Sequence, residues 1–123
     1  MGWLSTHVLD TANGCPAANI EVSLWRVESP LKRIHLTTMR TNSDGRTDHP
    51  LLEEENFQEG IYEIVFGVGE YFMRLSERRE CSVIDSFPFL DAVPIRFGVS
   101  DSSTHYHVPL LVSPWSYSTY RGS

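Results

Sequence analysis

The chain reads as an all-β sandwich with one short helix. Three observations predict this: roughly seven or eight short runs rich in β-branched and aromatic residues, turn signals between them at sandwich spacing, and a single stretch, Glu70 to Arg78, with residues paired three and four apart. At 123 residues there is material for one core, so a single domain over 1–123 is expected.

The first strand is Leu4 to Leu9. Its alternation puts Leu4, Thr6 and Val8 on one face and Ser5, His7 and Leu9 on the other, so His7 leaves the core face. Asp10 to Pro16 contains Asn13-Gly14 and carries turn chemistry, because Asn and Gly tolerate positive φ. Ile20 to Val27 is the second strand, with Ile20, Val22, Leu24 and Arg26 on one side and Glu21, Ser23 and Trp25 on the other. A turn at Pro30 leads to a third strand, Arg33 to Thr41.

Asn42-Ser43-Asp44-Gly45 is another turn, and Arg46 is the first residue out of it, at a strand's rim. The acidic run Glu53-Glu54-Glu55 reads as a solvated loop or a turn of helix. Gly60 to Phe66 is an interior strand, followed by the helix at Glu70 to Arg78. Cys81 to Asp91 is irregular, with Phe87-Pro88-Phe89 as a buried corner. Ala92 to Val99 is a strand whose Pro94 suits a strand start or edge.

The final stretch is two strands around the turn Ser113-Pro114, where proline fixes φ and pushes its predecessor out of the helical region. Period two sorts Tyr106, Val108, Leu110 and Val112 onto the core face and His105, His107, Pro109 and Leu111 onto the other. The histidines therefore point toward solvent or another subunit.

Composition excludes several classes of function. The formal charge is -6, with 41% hydrophobic and 21% charged residues, which argues against a nucleic-acid footprint and against attraction to an anionic membrane. There is no transmembrane run and no signal peptide, and Met1-Gly2-Trp3-Leu4-Ser5-Thr6 matches a myristoylation pattern only formally, since it leads straight into a strand. Cys15 and Cys81 are far apart with no CxxC spacing, so two reduced thiols in a cytoplasmic protein are expected. Trp3, Trp25 and Trp115 read as packing groups.

The run Tyr106-His107-Val108-Pro109-Leu110-Leu111, then Ser113-Pro114, then Tyr117-Ser118-Thr119-Tyr120-Arg121-Gly122-Ser123 resembles the C-terminal motif of the 5-hydroxyisourate hydrolases, the enzyme branch of the transthyretin family. The resemblance extends to Leu4-Ser5-Thr6-His7-Val8-Leu9-Asp10, Gly14-Cys15-Pro16-Ala17, Thr41-Asn42-Ser43-Asp44-Gly45-Arg46 and Glu59-Gly60-Ile61-Tyr62-Glu63. It implies a transthyretin-like (prealbumin-like) β-sandwich of two four-stranded sheets with one helix. It also implies opening of the lactam ring of 5-hydroxyisourate to 2-oxo-4-hydroxy-4-carboxy-5-ureidoimidazoline, in urate degradation, without a cofactor.

His7, Arg46 and His107 stand out by their faces, and the resemblance matches them to residues lining a channel between paired dimers. It implies a homotetramer, a dimer of dimers. By chemistry, one histidine suits the general base toward water and the other an orienting or proton-returning role, while Arg46 suits a carbonyl or anionic substrate. Ser118 and Tyr120 share a face, and Tyr120 would position the substrate ring. The resemblance brings Ser123 to the same site, by its hydroxyl or its terminal carboxylate. Leu9, Pro109 and Leu111 leave a partly apolar surface on the histidine face, which predicts an interface.

Two alternatives stand beside this reading. His105 and His107 lie on one side of a strand, and His7 could complete three ligands for zinc, although no carboxylate or thiolate evidently joins them. A non-catalytic carrier of the same family would instead keep an open apolar tunnel, which Tyr120 would narrow.

Overall fold

The computed structural model describes residues 1–76 and 87–123. In chain order the elements are β1 (Trp3–Asp10), β2 (Cys15–Pro16), β3 (Glu21–Ser29), β4 (Lys32–Arg40), β5 (Leu52–Glu53), a 3-10 turn (Glu54–Asn56), β6 (Gly60–Gly67), α1 (Val68–Ser76), β7 (Ala92–Val99), β8 (His105–Val112) and β9 (Tyr117–Thr119). They form two facing sheets. One has the order β4-β3-β6-β7 and is antiparallel throughout. In the other, β1 runs parallel to β8, β8 pairs antiparallel with β9, and β2 and β5 both pair with β1.

Alternation builds the core. Leu4, Val8, Leu110 and Val112 from one sheet and Val22, Leu24, Ile64 and Phe66 from the other are fully buried. Each such side chain contributes about 1.5–3 kcal/mol on leaving water. The polar groups that enter this interior are satisfied by design of the turns and strand edges: Thr6 Oγ1 donates to the Val108 carbonyl at 2.7 Å, and Thr41 Oγ1 donates to the Ala17 carbonyl at 2.6 Å. Asp10, buried at the end of β1, accepts from the Ala12 and Asn13 amides and from the Tyr71 hydroxyl at 2.8 Å, which ties α1 to the first strand. Burial first, then this carboxylate, push the Tyr71 hydroxyl pKa well above its ordinary value.

Several expectations are corrected. Only one sheet has four strands; the other has five, because two two-residue strands, neither predicted, share the edge of β1 that β8 leaves open. The helix begins at Val68, two residues before the predicted start, since β6 runs directly into it and Val68 is buried. Arg78 and Cys81 lie outside the described residues. Phe87 and Phe89 are 84% and 75% exposed, so the segment is no buried corner; it is Pro88 that packs inward, close enough to Gly69 that a Cβ there would sit 2.8 Å from the ring. Trp115 at the β8–β9 turn is 72% exposed and packs into no core. Cys15 is a free, exposed thiol in β2.

Candidate active site

The parallel register of β1 with β8 sets His105 beside Trp3, His107 beside Ser5, and Pro109 beside His7. With Leu4, Thr6 and Val8 buried beneath β1 and Tyr106, Val108 and Leu110 beneath β8, the outward residues of both strands form one surface. On it the Trp3 ring stacks on His105, with centroids 4.2 Å apart and planes 13° from parallel. Ser5 Oγ lies 2.6 Å from His105 Nε2 and 2.8 Å from His107 Nδ1, so one hydroxyl joins the two imidazoles.

Arg46 is brought to this surface by its turn. Asn42 Oδ1 accepts from the Asp44 and Arg46 amides, and the Asn42 amide donates to the Arg46 carbonyl at 2.7 Å. Gly45 takes φ +76° and lies so close to β1 that a Cβ would sit 2.4 Å from the Val8 carbonyl oxygen, so both the backbone and the space require glycine. The Val8 amide donates to the Gly45 carbonyl at 2.8 Å, and Arg46 then bridges to His7. The Arg46 guanidinium has no carboxylate within ion-pair distance among the described residues.

The chain's last residues close the site from the other side. The Gly122 amide donates to the His107 carbonyl at 2.8 Å, forming a bridge just past β9. A Cβ on Gly122 would fall 2.5 Å from His107 Cδ2, so the tail lies against the imidazole only because that residue is glycine. Arg121 turns the other way, its guanidinium 4.1 Å over the Tyr106 ring.

The electrostatics follow from this packing. Burial chiefly, and then the Arg46 charge, hold His7 below its ordinary pKa of 6.5, partly opposed by a hydrogen bond to the Asp44 backbone and by the Asp44 charge. His107 is lowered by burial, then by Arg46, His105 and His7, and His105 by burial. Three imidazoles held neutral beside an unpaired guanidinium can accept protons while the arginine stabilises negative charge.

Comparison with known proteins identifies the scaffold. Residues 4–122 match the model of the HIUase/Transthyretin family. The chain belongs to the HIUase/Transthyretin family. Within that family it is similar to the 5-hydroxyisourate hydrolase of Ralstonia nicotianae, at 53% identity over the full length of both chains. Among solved structures it resembles a Klebsiella pneumoniae 5-hydroxyisourate hydrolase at 33% identity, with a TM-score of 0.77 and full coverage of both chains. It also resembles an (S)-allantoin synthase at 48% identity and a TM-score of 0.84; there 99% of this chain spans 44% of the longer one.

Of the predicted site residues of this family member, the structure brings His7, Arg46 and His107 onto one surface, with Gly122 carrying the tail to them. Ser118 is opposite Leu111, further along β8 on the same sheet. Tyr120 is 58% exposed; it follows Thr119, the partner of Leu110 on β8, and borders a cleft of about 400 Å³ with Ile95, Phe97, Tyr106 and Val108. Ser123 follows Gly122 and is exposed. The zinc alternative finds no cluster of three or more ligating groups among the described residues, and His105 and His107 turn toward Ser5 instead. Sequence reading placed Ser5 on the right face without giving it a task; only the register opposite His107 shows its use.

Proposed function

We infer that this chain hydrolyses 5-hydroxyisourate, opening the lactam of its six-membered ring to 2-oxo-4-hydroxy-4-carboxy-5-ureidoimidazoline. The observation that carries the reading is the surface shared by His7, His107 and Arg46, in which low imidazole pKa values keep a base available at neutral pH. Similarity to named 5-hydroxyisourate hydrolases over the whole chain supports the substrate.

One of the two histidines takes a proton from water as its oxygen attacks the ring carbonyl. Arg46 binds the oxyanion that forms, and the protonated imidazole returns its proton to the ring nitrogen as the C–N bond breaks. No cofactor enters this scheme. Ser118 and Tyr120 are assigned to substrate positioning, and Ser123 to contact with a histidine.

The active form is proposed to be a homotetramer in the cytoplasm. Leu9 and Leu111 are only partly buried in the single chain and lie beside the histidines, and pairing such faces would cover them and seal the site from bulk water. Among the described residues no helix is long and apolar enough to cross a membrane.

The decisive assay mixes the protein with freshly made 5-hydroxyisourate and follows its absorbance. Decay well above the buffer rate, unchanged by dialysis against a chelator, is expected; decay at the buffer rate would favour a carrier. Light scattering coupled to size exclusion should give four copies of the 14.0 kDa chain, with Leu111→Glu dissociating them and removing activity. A fully active, well-folded monomer would sink the shared site.

A further inference from the structure

The Ser5 hydroxyl has one hydrogen and sits within hydrogen-bond distance of a nitrogen on each of two rings. We propose that Ser5 couples the tautomers of His105 and His107, and that His105 thereby acts as a positioning residue which keeps the proton of His107 on Nδ1 and its Nε2 free as the base. This rests on the hydrolase reading for its catalytic consequence, but the coupling itself rests on geometry alone.

Two hydrogen-bond patterns are open to the trio. In the first, the Ser5 hydroxyl donates to His105 Nε2, so its oxygen accepts from His107 Nδ1–H and leaves His107 Nε2 with a bare lone pair. In the second, the hydroxyl donates to His107 Nδ1 and accepts from His105 Nε2–H, and His107 carries its proton on Nε2. Only the first leaves a base at Nε2. A neutral His105 able to accept at Nε2 is what selects it, and the stacking of Trp3 on His105 holds that ring in place. Burial, which lowers the His105 pKa, favours the neutral acceptor.

The same chain of groups carries charge away. When His107 Nε2 takes the proton from water, Nδ1–H can pass its proton to Ser5 Oγ while the Ser5 hydroxyl hydrogen moves to His105 Nε2. His107 is then neutral with its proton on Nε2, ready to give that proton to the departing ring nitrogen. His105 holds the positive charge, and reversal of the two transfers restores the starting state. The charge thus moves from His107, which faces Arg46 and His7, to His105, for which neither is a cause of its lowered pKa. The groups facing His107 are His105 on its own strand, Ser5 and His7 on β1, Arg46 after its turn, and the tail at Gly122.

The test compares His105→Phe, Ser5→Ala and the double variant. Phenylalanine keeps a ring against Trp3 but removes the acceptor, so His107 Nδ1 becomes the one acceptor left to the Ser5 hydroxyl within the trio, which favours the unproductive tautomer. In protein labelled with 15N at histidine, at pH 8, the His107 signals should change from the Nδ1–H to the Nε2–H form in His105→Phe. The kcat of that variant should fall about 100-fold, within the range of general-base contributions, with KM little changed. Removing the hydroxyl as well should partly restore kcat, making the double variant faster than His105→Phe alone. An unchanged His107 tautomer in His105→Phe, or a double variant slower than either single one, would overturn the coupling. The spectra need no substrate, so a wild-type protein that left 5-hydroxyisourate decay at the buffer rate would overturn the hydrolase reading alone.

Discussion

The sandwich turns two faces outward, and they treat their polar groups in opposite ways. On the β4-β3-β6-β7 face the charges are spent on one another. Glu63, almost fully buried, takes a hydrogen bond from Arg33 and another from Arg96 Nε at 3.1 Å, and the Arg33 guanidinium also lies 4.0 Å over the Trp25 ring. His35 is held by Thr38 at 2.7 Å. The exception is the Trp25 indole N–H, buried without an acceptor among the described residues. On the β1-β8-β9 face, by contrast, two histidines share one serine, and Arg46 has no carboxylate partner among the described residues. A satisfied network holds a fold together, whereas an unspent guanidinium beside neutral imidazoles is available to a substrate. The same residue types thus serve structure on one face and chemistry on the other.

The largest break in this comparison comes from the reactive face. His7→Ala, Arg46→Ala and His107→Ala should each lower kcat about 100- to 10,000-fold, with an unchanged circular dichroism spectrum because none of the three belongs to the core. His35→Ala, on β4 of the other sheet, and His49→Ala, both exposed, should keep wild-type turnover; a loss in either matching that of His107→Ala would refute the assignment of the base to His7 and His107.

A smaller effect sharpens the electrostatic half of the argument. Protonation removes the base, and the pKa values of His7 and His107 lie below 6.5, so activity should persist as pH falls through 6.5 and be lost at lower pH. In Arg46→Ala the residual activity should fall off at higher pH than in the wild type, because a repelling charge is gone while burial remains. Rate profiles from pH 4.5 to 8 read both; an acid limb that does not move would detach Arg46 from the histidines.

The smallest effect belongs to the other face. Glu63→Gln leaves two partly exposed arginines without their carboxylate, and should cost about 1–3 kcal/mol of stability with kcat untouched. Thermal denaturation and the decay assay on the same sample test this together.

Much of this was legible in the sequence, for physical reasons. Period two assigned the faces of β1 and β8 correctly because both strands bury one side against a core that tolerates no polar row. The Asn-Ser-Asp-Gly turn announced where Arg46 would emerge, since few other residues accept the backbone that Gly45 adopts. β2 and β5 were missed because two residues carry no periodicity; their pairing depends on β1 being present. Phe87 and Phe89 misled because aromatic residues beside proline suggest burial, whereas here proline alone turns inward. Ser5 stayed silent because a serine has no chemistry until its neighbour is known, and its neighbours are 100 and 102 residues away.

That separation has a consequence for how the protein is made. β1 leaves the ribosome well before its long parallel partner β8, and the tail that crosses His107 comes later still. Until residues 105–122 emerge, the edge of β1 that β8 will cover has no strand to pair with, and Ser5 and His7 have no imidazole beside them. Closing this pair brings together segments separated by most of the chain, the kind of non-local contact that slows folding. The step that creates the site therefore waits for residues 105–122, and a chain released short of His105 has neither the completed sheet nor the chemistry.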